Sequence, residues 1–348
     1  MGKNDFKFEN KMKYVINCKI FSILILLIFN SSIYAVNVIA WWGYLDSTSI
    51  NIVEKKCNTK ISVDTYYSSD ELLRRVENAK YSLAIFGSEV YNALKDKIVS
   101  DHNAFTAIKK QYHPNVLRLL YKQNFAKNSA IMTLNNTGIL YNKNLLTVSK
   151  DTNLNDLFES AKGKKINFLD EPLESLKFVT HGKNVSDFSG TQTQKHSEEF
   201  KKLISGSSVL ISNSNKEIIK YPDFAFSYTW ACIGFKRVRD YPNLAYTSHP
   251  TLSFVSADLI ALFSNDKETQ CVAEHLASKS AVDKNAVEAF YFSPFGLPAD
   301  LPKNEFWYEH KRILEDYDSL KWLEYPEKNQ YVKVSNFWNK LKFGVNKK

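Results

Sequence analysis

The chain has 348 residues, of which 46 are basic and 37 acidic, giving a formal net charge of +9, with 44% hydrophobic and 14% aromatic residues. The lysines are scattered singly and in pairs, without the clustered stripe that a nucleic-acid-binding face requires. Four cysteines, one of them Cys18 near the N-terminus, exclude a disulfide scaffold but leave room for one bridge, and seven histidines show no HxxxH or HxxH spacing for a metal.

Lys11, Lys13 and Lys19 precede an apolar run from Ile20 to Phe29, and Asn30–Ala35 follow with small and polar residues. A basic region, a short apolar core and a small-residue end predict a cleaved secretory signal over residues 1–35. The apolar run is too short for a membrane span, which needs about 20 residues. Cys18 lies before that run, so it is not a lipid-attachment cysteine.

Val36, Val38 and Ala40 alternate with Asn37 and Ile39 as a first strand, which runs out into Trp41, Trp42 and Tyr44. Lys60–Tyr67 is predicted as a second strand, with Ile61, Val63 and Thr65 alternating. Ser68 and Glu71 form a capping box ahead of a helix carrying Leu72, Leu73 and Val76. Tyr81–Ser88 is a short buried strand, and Glu89–Ile98 a further helix. Strands alternating with helices predict a parallel sheet, in which ligands collect at the carboxyl ends of the strands. Trp41, Tyr44, Tyr66, Tyr67 and Ser88 stand at those ends.

Between Ile131 and Leu146 an extended segment passes through Asn135, Asn136 and Gly138 into a second α/β run. The stretch "KKINFLDEPLESLKF" reads as strand, turn and helix, with Pro172 suited to the first helical position. In Phe224–Phe235 the residues Phe224, Phe226, Tyr228 and Trp230 share one face, and Ala225, Ser227 and Thr229 the other. Thr251–Phe263 is again extended and holds a lone acid, Asp258. Two α/β runs with extended joins, near residues 134–140 and 252–258, predict two lobes that hinge about a cleft.

With these residues in place, the chain resembles the extracellular solute-binding proteins of bacterial ABC importers, and most nearly the spermidine/putrescine-binding periplasmic proteins. "AWWGY" matches that family's N-W-T-E-Y, with Trp42 in place of threonine, and "YSLAIFGS" matches Y-D-L-V-V-P-S, with Ser82 in place of aspartate. "FLDEPLESL" corresponds to L-T-D-D-A-R-E-V, "SADLIAL" to W-M-D-S-L-A-I, and "YFSPFG" to G-Y-P-T-P-N. The C-terminal "FWNKLK" is similar to the family's closing helix, which has no ligand role. The resemblance implies an α/β, type II periplasmic binding protein-like fold. Lobe 1 is then 36–135 plus 258–300, and lobe 2 is 136–257 plus 301–348. It also implies a ligand set of Trp41, Tyr44, Ser88, Glu171, Glu174, Trp230, Asp258 and Tyr291. Tyr228 competes with Trp230 for its place. Ser256 stands where the family has tryptophan, and Phe254 is the neighbour placed to compensate.

The implied protein is a periplasmic monomer that carries a polyamine to an inner-membrane ABC permease, with no cofactor and no metal. The chemistry of the residues is consistent with that. Ammonium groups need carboxylates, and methylene chains need apolar walls; aromatic faces serve both, at roughly 0.5–2 kcal/mol per cation contact. Glu171 and Glu174, three apart at a helix start, are placed to share a face, where the helix dipole helps keep them ionised. Asp258, inside an apolar stretch, needs a partner to be buried. Glu309 reads as a surface acid remote from this set. An enzyme is not indicated, because no G-x-S-x-G elbow or catalytic set is present. A ferric-ion carrier of the same fold would use tandem tyrosines in lobe 2, and the only such pair is Tyr66–Tyr67 in lobe 1. A surface adhesion protein is the alternative of another class.

Overall fold

The computed structural model describes residues 35–100, 102–123, 127–180, 190–316, 318–323 and 325–345. The predicted signal segment, apart from Ala35, lies outside the described residues. The described residues form nine strands: β1 (Ala35–Trp41), β2 (Lys60–Tyr66), β3 (Leu83–Gly87), β4 (Ser129–Asn142), β5 (Lys165–Phe168), β6 (Ser208–Ile211), β7 (Phe224–Trp230), β8 (Leu244–Thr247) and β9 (Val255–Leu262). Their order is β2-β1-β3-β9-β4-β7-β5-β6, with β8 also on β4.

β1 pairs in parallel with β2 and β3, and β9 runs antiparallel to β3. β5 pairs in parallel with β6 and β7. The two parallel groups meet on β4, whose residues Ser129–Asn136 pair with β9 and whose residues Thr137–Asn142 pair with β7 and β8. The join expected near residues 134–140 is therefore the middle of one continuous strand. The second, from β8 to β9, passes through a turn at 248–254, so the extended stretch expected from Thr251 begins only at Val255.

Helices fill the crossovers. Those that bear on the site are α1 (Ser47–Cys57), α2 (Ser69–Asn78), α3 (Pro172–Val179), α4 (Ala231–Asp240), α5 (Lys267–Leu276), α6 (Glu305–Glu315) and α7 (Lys328–Val345). Ser68 caps α2 by accepting from the Glu71 N–H, and the Glu71 carboxylate reaches back to the Tyr67 N–H at 2.9 Å. Pro172 takes the first position of α3, as its missing N–H allows.

Two predicted elements differ. Glu89–Ile98 is not one helix but three short turns, broken at Val90 and Leu94, whose φ near −100° and ψ near 0° depart from regular helix while both side chains bury. Phe224–Phe235 leaves its strand at Trp230 and continues as α4. β7 is buried on both faces, with Ala225, Ser227 and Thr229 as inaccessible as the aromatic row, as expected of a strand with layers on either side.

Cys57 of α1 and Cys271 of α5 form a disulfide, with Cα atoms 5.7 Å apart, while Cys232 is a buried free thiol. α7 ties the two parallel groups together. Ser335 and Asn339 donate to Asp70 in the first turn of α2, at 2.6 and 3.3 Å; Trp338 and Lys342 donate to Asp170 ahead of α3, at 2.9 and 2.6 Å. Among the described residues no helix is long and apolar enough to cross a membrane.

Candidate ligand-binding site

The carboxyl ends of the two parallel groups face each other. β1, β2 and β3 run out into Trp41, Tyr66 and Ser88–Glu89; β5, β6 and β7 run out towards Glu171, Asn213 and Trp230. The Trp41 and Trp230 rings meet edge to face with centroids 5.8 Å apart, and Trp41 also lies 4.5 Å from Tyr66. A single amide bridges the two sides: Asn213 Nδ2 donates to the Tyr67 carbonyl and to Glu171 Oε1, both at 3.0 Å.

Asp258 sits in mid-strand on β9, opposite Gly87 of β3 and Thr133 of β4. A bulge in β4 at Ile131–Thr133 re-aims the threonine. Thr133 Oγ1 then donates to Asp258 Oδ2 at 3.1 Å, and the Tyr44 hydroxyl donates to the same oxygen at 3.0 Å. The Tyr291 ring lies 5.0 Å from Tyr44. Ser88 is fully buried, and its hydroxyl accepts from the Ala257 N–H at 3.2 Å, fixing β9 next to Asp258.

On the other side, Glu171 occupies the N-cap position of α3 without a side-chain capping bond and Glu174 follows one turn later, both buried. Trp230 Nε1 donates to Glu174 Oε1 at 3.4 Å, and Glu174 Oε2 is buried with no hydrogen-bond partner. Sequence reasoning missed a fourth acid, Glu89. It is buried, accepts from the Ser69 hydroxyl at 2.9 Å, and folds back over Gly87. A Cβ on Gly87 would come within 2.3 Å of the Glu89 carboxylate, so any larger residue there would displace that carboxylate.

Burial raises all four carboxyls, and neighbouring acids raise Glu89, Glu171 and Glu174 further. Burial, then the charge of Glu174, pushes Glu89 up to about 8. Burial, then Glu174 and Glu89, holds Glu171 well above the usual carboxylate range. Burial is the first cause for Glu174 as well, pushed up to about 7, and for Asp258, pushed up to about 6. Such a cluster loses ionisation unless a cation supplies the missing charge. The acids do not converge on one point. Among the described residues, the only three such side chains with ligand atoms within 4.8 Å of one another are Cys57, Cys271 and His275, and the two cysteines are joined to each other.

All eight residues singled out in the sequence lie in or against this junction. Tyr228 belongs to the core, its hydroxyl bonded to Thr137 and to the Leu252 carbonyl. Trp42 is exposed and stacks on exposed Tyr67. Tyr66 commits its hydroxyl to the Ile85 carbonyl, so the tandem tyrosines do not converge as an iron site would require. Glu309 is not a surface acid. It is largely buried and joins Asn136, Ser248 and Arg312.

This architecture is that of the type II two-lobed solute-binding proteins. The chain is similar to the spermidine/putrescine ABC transporter substrate-binding protein of Streptococcus pneumoniae, at 16% identity and a TM-score of 0.68 over 89% of this chain and 99% of that one. It is similar also to a putative spermidine/putrescine ABC transporter protein of Listeria monocytogenes, at 15% identity and a TM-score of 0.74 over 89% and 99%. A maltose-bound protein of Thermotoga maritima shares the fold at 12% identity and a TM-score of 0.64 over 89% and 99%. The fold thus accommodates ligands of different chemistry. No family model and no curated protein matches the chain.

Proposed function

We propose that the protein is the substrate-binding component of an ABC importer and that it captures a polyamine between its two lobes. The observation that carries this reading is a set of four carboxyls, buried Glu89, Glu171 and Glu174 and half-buried Asp258, beside the aromatic rings of Trp41, Tyr44, Trp230 and Tyr291. A metal ion needs ligands on one centre, whereas an aliphatic chain with separated ammonium groups needs acids at intervals and apolar faces between them. The ligand neutralises the cluster, favours the closed arrangement, and the closed protein is what a membrane permease recognises.

The lobes are taken as 36–135 plus 258–300 and 136–257 plus 301–348. The protein is read as a carrier rather than an enzyme, a monomer, exported by its signal segment to the periplasm. The Cys57–Cys271 bridge supports export, since such bonds persist in oxidising compartments. Native mass spectrometry of the purified protein, followed by calorimetry with putrescine, cadaverine and spermidine, tests the assignment. Saturable binding of an amine is the expected result; retention of iron, or no heat with any amine, refutes it.

A further inference from the structure

α3 carries a buried cation one turn beyond Glu174. Lys177 is 7% exposed, and its Nζ stands 5.1 Å from the centroid of the Phe254 ring, while its positive charge acts on Glu174. An aliphatic ammonium between an aromatic face and a carboxylate is the same chemical arrangement that would hold one end of a polyamine. Phe254 precedes Ser256 and Asp258 at alternate positions, so the three share one side of the strand and its approach. Glu174 feels both Asp258 and Lys177. Asp258, Glu174, Lys177 and Phe254 are linked in one row through the charges of Asp258 and Lys177 acting on Glu174 and the contact of Lys177 with Phe254.

From this geometry, and resting on the polyamine reading above, we infer that Lys177 is a specificity determinant: it fills one cation position from within the protein and limits the ligand to a short aliphatic diamine. Each of the four acids accepts from a neutral donor, Glu89 from Ser69, Glu171 from Asn213, Glu174 from Trp230 and Asp258 from Tyr44 and Thr133. Glu174 Oε2, buried with no hydrogen-bond partner, and half-buried Asp258 are the two carboxyls placed for ammonium groups. A third ammonium extended along this row meets the Lys177 charge in a dry environment, where like charges repel strongly.

Calorimetry with putrescine and spermidine, on the wild type, Lys177→Met and Lys177→Arg, tests this. The wild type binds putrescine at least about tenfold more tightly than spermidine, a difference of about 1.4 kcal/mol. Lys177→Met moves that ratio about tenfold or more towards spermidine, and Lys177→Arg keeps the diamine preference. A wild type that prefers spermidine overturns the inference even if the methionine variant fails to fold, as does a ratio unmoved by Lys177→Met in a variant with a cooperative thermal melt. 4-Aminobutyrate that binds the wild type and not Lys177→Met also overturns it, by showing Lys177 to be the partner of a ligand carboxylate. Absence of binding by every amine refutes the polyamine reading together with this one.

Discussion

The Tyr44 hydroxyl donates to Asp258 across 214 residues of sequence, at 3.0 Å, joining the loop after β1 to the middle of β9. The bond stabilises the charged form of the carboxyl against its burial. Replacing Asp258 by Asn keeps the shape and the partners but removes the charge an ammonium would meet. Hydrogen bonds to charged groups contribute roughly 1.5–3 kcal/mol, so amine binding weakens about ten- to hundredfold. Tyr44→Phe weakens it less, by leaving Asp258 harder to ionise. Exposed Glu217, paired with Lys220 at 2.7 Å, is the control, and its change to Gln leaves the affinity unaltered. A folded Asp258→Asn protein that binds as the wild type does refutes the assignment of that acid.

Ligand binding should release protons. Glu174 titrates near 7 and Glu89 near 8, because burial and neighbouring acids favour their neutral forms. An aliphatic ammonium stays charged throughout this range, as lysine does at about 10.4. Amine affinity therefore rises from about pH 6 to about pH 8, and calorimetry at pH 7 in buffers of different ionisation enthalpy records net proton release. The free protein shows the reverse sign. Carboxyls whose folded pKa is raised destabilise the fold progressively as pH climbs from their ordinary value of 4.5 to about 8. The ligand-induced rise in melting temperature is accordingly larger at pH 8 than at pH 6. An affinity flat across this window contradicts the proposed role of the cluster.

Much of this arrangement is legible in the sequence because strand exits and helix starts leave local marks. The alternation in Val36–Ala40 and Pro172 beside Glu171 locate two edges of the junction without any tertiary information. Asp258 stands out as a lone acid in an apolar strand. Glu89 leaves no such mark: "EVYNALKDKI" has the spacing of an ordinary helix, and the acid's buried bond to Ser69 joins it to a different element. Glu309 was misread for the same reason. Its partners Asn136 and Ser248 are remote in sequence, and nothing near position 309 announces them. Lys177 looks like a solvated helix residue until the surrounding elements cover it.

Trp41 and Trp230 meet at 5.8 Å from opposite groups of strands, so a ligand between the lobes changes the environment of both. Tryptophan fluorescence should respond saturably to amine, with the same midpoint as calorimetry. Trp41→Ala removes one wall and one cation-attracting face, each such contact amounting to roughly 0.5–2 kcal/mol. The expected loss is about three- to thirtyfold in affinity, with the fold retained. An unchanged affinity would assign Trp41 to packing alone.

The Cys57–Cys271 bridge closes a loop spanning 214 residues and fastens α1 to α5, away from the acid cluster. Long closures restrict the unfolded chain, and removing a native disulfide costs typically 2–5 kcal/mol, so the paired serine variant should be less stable by about that amount. Its amine affinity below the melting transition should match the wild type. Loss of affinity in a folded serine variant would show that the bridge also sets the geometry of the junction.

Glu309 tests the join between the two parallel groups. From α6 its carboxylate accepts from Asn136 Nδ2 at 2.6 Å and from the Ser248 hydroxyl at 2.5 Å, and it pairs with Arg312 at 2.5 Å. Asn136 lies where β4 passes from β9 to β7, and Ser248 lies in the turn that leads from β8 to β9, so one side chain fastens both crossings. Glu309→Ala leaves the Ser248 hydroxyl and the Arg312 guanidinium without this acceptor in a largely buried setting, and takes from the Asn136 amide one of its two acceptors, the other being Ser248. Leaving such donors unsatisfied costs about 1–3 kcal/mol, measured as a shift of the urea midpoint. Glu309→Gln, which retains an acceptor oxygen, costs less. Because the same contacts hold the crossings in one conformation, Glu309→Ala should also alter the difference in small-angle scattering between amine-free and amine-saturated protein. A stability change within about 0.5 kcal/mol, the range of ordinary surface substitutions, together with unchanged scattering, would return Glu309 to the role of a bystander.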